Sequence, residues 1–110
     1  MSDELVSTEI ERSNDTLIVH LSGDIDLSNA HELQQQLEGA LRGSPRSVID
    51  LTEIAYLDSQ GLRLIKQLVD KAGREGTQLQ VVAPPDTFPR QVLELARMSD
   101  YIEIRDALDG

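Results

Sequence analysis

A chain of 110 residues and 12.2 kDa holds about one domain, which excludes a two-domain enzyme with a cleft between its halves. The 20 Asp and Glu against 10 Lys and Arg leave a net charge of −10 and a pI near 4.4, the wrong sign for docking on nucleic-acid phosphates or anionic lipid heads. With no cysteine there is no disulfide framework, zinc thiolate site or thiol nucleophile, so a metal would have to be held by oxygens.

The opening Met1-Ser2-Asp3-Glu4-Leu5 is acidic where a signal peptide needs positive charge. No run approaches the roughly 18 apolar residues of a membrane span, and a cytoplasmic protein is expected. Val6 to Glu11 is short and partly alternating, Ser13-Asn14-Asp15 is turn chemistry, and Thr16 to Leu21 alternates around β-branched residues, which predicts an opening β-hairpin. Asn14-Asp15-Thr16 also fits a glycosylation acceptor, a match without physical meaning where no secretory signal accompanies it.

After Ser22-Gly23-Asp24 the period changes. Ala30, Leu33, Leu37, Ala40 and Leu41 recur at helical spacing, Asn29 and Glu32 are placed as a capping box, and a helix is predicted from about Asn29 to Arg42. Gly43-Ser44-Pro45 stops it. Ser47 to Leu51 reads as a strand within a sheet covered on both faces. Leu62, Ile65, Leu68, Val69 and Ala72 then mark a second helix starting at or beside Ser59, with Gly73 and Gly76 as candidate terminators. Gln78 to Ala83 predicts a further strand, Pro84-Pro85 breaks it, and Phe88, Val92, Leu95 and Ala96 mark a third helix with Pro89 in its first turn. Tyr101 to Ile104 closes as a strand. The order ββαβαβαβ implies one α/β domain over residues 1–110, built on a mostly parallel five-stranded sheet with helices packed on it.

Catalytic candidates are few. His20 within the second strand and His31 in the first turn of the first helix lack partners nearby in sequence. Leu57-Asp58-Ser59-Gln60-Gly61 fails the G-x-S-x-G pattern of a nucleophile elbow, and no G-x-x-x-x-G-K-[ST] phosphate loop exists. Tyr56, Phe88 and Tyr101 are too few for a stacking platform and are expected to serve core and rim packing.

Asp24 and Asp26 follow the second strand and Asp58 the third, so parallel pairing would bring all three to one carboxyl edge, where they could hold Mg²⁺. The alternative is that Asp24 shapes a turn while Asp58 helps cap the second helix. Ser59 at that helix start would face free backbone N–H groups and the positive end of the macrodipole, a place suited to a phosphate. From spacing alone, simple N-capping is the favoured explanation of a serine there.

Leu21-Ser22-Gly23-Asp24-Ile25-Asp26 followed by a helix, and Val48-Ile49-Asp50-Leu51 running through Tyr56-Leu57-Asp58-Ser59-Gln60-Gly61-Leu62, resemble the STAS domains of bacterial anti-sigma factor antagonists. The resemblance spans nearly the whole chain: the ββαβαβαβ order, the G-[ED]-[IL]-D turn, the D-S-x-G-L start of the second helix, and the closing Val92 to Ser99. It implies that Ser59 is phosphorylated by an anti-sigma factor that is also a serine kinase with a histidine-kinase-like ATPase fold. A PP2C-type serine phosphatase would reset it. It further implies that Asp26 supports partner binding and phosphoryl transfer, and that Asp58, Ser59, Gln60, Gly61, Leu62 and Arg63 form the partner-binding surface. The chain would then be no enzyme and need no cofactor. Two departures, Gln60 where many members carry Ser or Thr and Arg63 where a small residue is usual, bear on partner identity rather than fold.

Two other classes compete with this reading. A STAS scaffold subunit of a stress-signalling complex or of a lipid-transport ATPase would lack the phosphorylation switch and would sediment as a large assembly. A receiver-like protein would bind Mg²⁺ at Asp24, Asp26 and Asp58 and carry an acid-labile acyl phosphate. The opening hairpin argues against the latter, as does Arg105 near the last strand where a receiver carries lysine.

Overall fold

The computed structural model describes residues 6–108; the acidic opening, Met1–Leu5, lies outside them. Strands β1 (Val6–Ser13) and β2 (Thr16–Ile25) form the expected hairpin. Its turn is only Asn14-Asp15, with Asn14 at φ 57°, a left-handed conformation that asparagine tolerates. Then follow α1 (Ala30–Leu41), β3 (Arg46–Leu57), α2 (Ser59–Glu75), β4 (Gln78–Val82), α3 (Phe88–Leu95), a 3-10 turn at Met98–Asp100, and β5 (Glu103–Arg105). The sheet runs β1-β2-β3-β4-β5 in sequence order. It is mixed, since β1 is antiparallel to β2 while the other pairs are parallel.

The 3-10 turn is an element that the ββαβαβαβ reading lacks. It uses Tyr101 and Ile102, whose N–H groups donate to the Met98 carbonyl at 2.9 and 3.0 Å, so β5 begins at Glu103 rather than Tyr101. Of the two glycines expected to end α2, Gly76 does so in the left-handed region at φ 75°, while Gly73 lies within the helix.

One cluster joins the buried faces of α1 (Ala30, Leu33, Leu37, Leu41), α2 (Leu64, Ile65, Leu68, Ala72) and α3 (Leu93) to Leu17, Val19 and Leu21 of β2, Ile49 and Leu51 of β3, and Val81 of β4. Val48 and Val82, whose side chains point to the other face of the sheet, are buried but lie outside that cluster. Their face also carries Ile18, His20, Arg46, Gln78, Gln80 and Arg105, all partly or fully exposed. The expectation of helices over both faces of β3 is therefore corrected: the helices share one face, and the second is a mostly polar surface.

β3 is 12 residues long where Ser47 to Leu51 was legible. The register between β2 and β3 slips twice, between His20 and Ser22 and between Gly23 and Asp24, each time with an additional residue on β3. Strict alternation would carry the core face from Leu51 to Glu53 and Ala55. The first bulge places Ile54 inside instead, the second returns Leu57 to the core, and Thr52, Glu53, Ala55 and Tyr56 stay outside. They also deliver the end of β3 beside the end of β2, pairing Ile25 with Leu57.

Candidate functional site

At that paired edge the two crossovers are stitched together. The Asp58 N–H donates to the Ile25 carbonyl at 3.2 Å, and the Leu27 N–H returns a bond to Asp58 Oδ2 at 3.2 Å. Asp58 Oδ1 accepts from the Gln60 and Gly61 N–H groups at 2.8 and 3.1 Å, making Asp58 the N-cap of α2. Asp26 closes the opposite turn: its Oδ1 accepts from the Ser28 N–H at 2.9 Å and the Ser28 hydroxyl at 2.6 Å. Asn29 makes no cap bond to α1, so the predicted capping box does not form. Its Oδ1 accepts from the Asp26 N–H at 3.1 Å and its Nδ2 donates to the Asp24 carbonyl at 2.9 Å, which holds the G-D-I-D turn in shape.

Ser59 is the first residue of α2 and is exposed. The cap is Asp58, one residue earlier, so N-capping does not account for the Ser59 hydroxyl. Two of the N–H groups that were expected to await a phosphate are likewise already taken by the Asp58 carboxylate. Gln60 and Leu62 are half-buried, and Arg63 is exposed. Gly61 is buried, which corrects its expected place on a partner-binding surface. A Cβ there would run into Leu57 Cδ1 and Ile25 Cγ2, so its glycine lets α2 sit close against the strand ends.

Asp24, Asp26 and Asp58 do reach one region, but no group of three or more metal-ligating side chains comes together among the described residues. Asp26 Oδ1 and both carboxylate oxygens of Asp58 are engaged in turn and cap bonds. No helix of the described residues is long and apolar enough to cross a membrane.

The aromatic residues are not core. Tyr56 and Phe88 are each 44% exposed and stack at 5.5 Å between ring centroids with planes 13° apart, and Leu27 beside Asp58 is 74% exposed. Lys66 Nζ lies 5.2 Å from the Tyr101 ring centre on the outer side of α2.

Sequence reasoning passed over His20, which sits between two carboxylates on the polar face of the sheet. Its Nδ1 pairs with Asp50 Oδ2 at 2.7 Å and its Nε2 with Glu11 Oε1 at 2.9 Å. The Glu11 bond, then the Asp50 bond, raise its pKa above 6.5 against the opposing effect of burial. Burial pushes the Asp50 carboxyl upward, but bonds from the Thr52 hydroxyl and N–H, together with His20, outweigh that and hold it below 3.8. The partners lie 30 and 9 residues away, so no local spacing announces the cluster; only the strand register does.

Fold and edge geometry define a two-layer α/β domain that presents a capped helix start and an exposed serine. A family profile described as STAS domain matches residues 7–110, and the chain belongs to that family. Over 103 residues it is 30% identical to a protein of Listeria monocytogenes named anti-sigma-B factor antagonist, covering 92% of this chain and 90% of that one. The crystal structure of an anti-sigma factor antagonist from Mycobacterium paratuberculosis superposes with a TM-score of 0.86 at 27% identity, covering 99% of this chain and 93% of the other. The Bacillus cell fate determinant SpoIIAA in its phosphorylated form shares the fold, with a TM-score of 0.66 at 14% identity over 89% of this chain and 90% of that one.

Proposed function

We propose that the chain, acting as one STAS domain over residues 1–110, is a cytoplasmic anti-sigma factor antagonist. Unmodified, it docks the surface of Asp26, Asp58, Ser59, Gln60, Leu62 and Arg63 on an anti-sigma factor that is a serine kinase with a histidine-kinase-like ATPase fold, and so frees the sigma factor. The observation that carries this reading is the Ser59 hydroxyl, exposed at the start of α2 and relieved of capping by Asp58. The relatives' names supply the partner class.

The chain is the substrate, not the enzyme. Ser59 Oγ attacks the γ-phosphorus of ATP held by the kinase, the bond to the β-phosphate bridging oxygen breaks, and ADP leaves. The hydroxyl proton passes to a base of the kinase, because a serine hydroxyl is a poor nucleophile unaided. The phosphate brings about −1.5 to −2 charges to the contact. An unmatched interfacial charge costs about 2–5 kcal/mol, which weakens binding roughly 30-fold to several thousand-fold. Hydrolysis by a PP2C-type serine phosphatase restores the hydroxyl.

Isothermal titration against a kinase-type anti-sigma factor tests this. Unmodified protein is expected to bind, and Ser59→Asp to bind at least tenfold more weakly. Equal affinity of the two removes the switch.

A further inference from the structure

Resting on that reading, we infer that Arg63 is the internal counter-cation of a phosphoserine at position 59. Ser59 and Arg63 stand four residues apart on α2 and are both exposed. Residues at that spacing are neighbours on a helix surface, with Cβ atoms about 5–6 Å apart, and the acidic-before-basic order is the favourable one. Side chains on a helix lean toward its N-terminus, which puts the Ser59 side chain within the natural reach of the Arg63 guanidinium. It is also uncommitted: none of the ion pairs among the described residues includes Arg63.

Two other nearby sources of positive potential are already engaged. The Asp58 carboxylate holds the Gln60 and Gly61 N–H groups and places a negative charge next to any phosphate on Ser59. Lys66, one turn further along, lies over the Tyr101 ring. Arg63 is thus the cation placed to form a forked, charge-assisted pair with the phosphate oxygens. The modified state then carries part of its neutralisation within the chain, which lowers the second pKa of the phosphate and limits the loss of partner affinity that phosphorylation brings.

The test uses the full chain with phosphoserine installed at position 59 by genetic encoding, so no kinase need be known. Its phosphate is titrated by phosphorus NMR in the otherwise unchanged chain and with Arg63→Ala and Arg63→Lys. The pKa, near 6 for a free phosphoserine, is expected to be lower in the otherwise unchanged chain than in the Arg63→Ala variant by about 0.3 of a pH unit or more. The lysine variant should fall between them, since a point charge lacks the fork. Equal pKa values for the unchanged and alanine chains overturn the pairing. The same samples titrated with the anti-sigma factor separate the two ideas: if phosphorylation leaves affinity unchanged, the switch fails while the Ser59–Arg63 pairing stands or falls on the NMR alone.

Discussion

Asp58 and Leu27 are joined across 31 residues of sequence by a 3.2 Å bond from the Leu27 N–H to Oδ2, while Oδ1 of the same carboxylate caps α2. One side chain therefore fixes both crossover turns that frame Ser59. Removing an N-cap acceptor costs about 0.5–2 kcal/mol, and for a chain of this size Asp58→Ala should lower Tm by about 5–10 °C. Asp58→Asn keeps one oxygen for the cap and loses the acceptor for Leu27, so its loss should be smaller. Thermal unfolding by circular dichroism ranks the three proteins, and amide exchange at Leu27 should quicken in both variants. An alanine variant as stable as the parent contradicts the double role.

Gly61→Ala separates helix propensity from packing. In an open helix, alanine gains up to about 1 kcal/mol over glycine. Here the new methyl meets Leu57 and Ile25 behind α2, and forcing it in should cost about 1–3 kcal/mol, leaving the variant less stable. Urea midpoints measure the sign. Gly73→Ala, in open space on the same helix, should shift the midpoint the other way.

The His20 cluster gives a defined pH response. Because the folded protein raises the His20 pKa, the stability it contributes is complete below 6.5 and is lost as pH rises through the raised value. Asp50, held below 3.8, contributes above 3.8 and loses that contribution as pH falls through its lowered pKa. The cluster is therefore most stabilising between the two. Urea midpoints followed from about pH 6 to 9 should fall more steeply for the parent than for His20→Gln; parallel curves would exclude the carboxylate sandwich as the cause.

Ser47 carries a buried hydroxyl with no hydrogen-bond partner. It shares the core side of the sheet with Leu17 and Leu79, its register neighbours. Ser47→Ala removes an uncompensated polar atom at little loss of volume, and stability should stay level or rise by up to about 1 kcal/mol. A clear loss in chemical denaturation would mean that the hydroxyl has a partner in solution.

The helices were legible because Leu33, Leu37 and Leu41, or Ile65, Leu68 and Ala72, repeat at the period that one buried face demands. The hairpin was legible from its turn residues. The second half of β3 was hidden, because each bulge breaks the two-residue alternation by which a strand is read. At the site, a cap at Asp58 and a helix start at Ser59 could be expected within one residue, but not which of the two held the N–H groups. Gly61 read as part of a motif and gave no sign of the Leu57 and Ile25 contacts behind it. His20 looked idle because its companions arrive through strand pairing rather than through neighbourhood along the chain.

The two bulges in β3 mean that the direction in which the Ser59 hydroxyl faces is stored as a residue count and not in any particular side chain. Shortening the stretch between Leu51 and Leu57 by one position would leave every strand and helix free to form. It would also rotate the exit of β3 by half a pleat, turning Leu57 out of the core and swinging the head of α2 away from the Asp26 turn. Substitutions along Thr52–Tyr56 should thus be borne far better than deletions of equal extent, a contrast that a scan of both kinds for partner capture would expose.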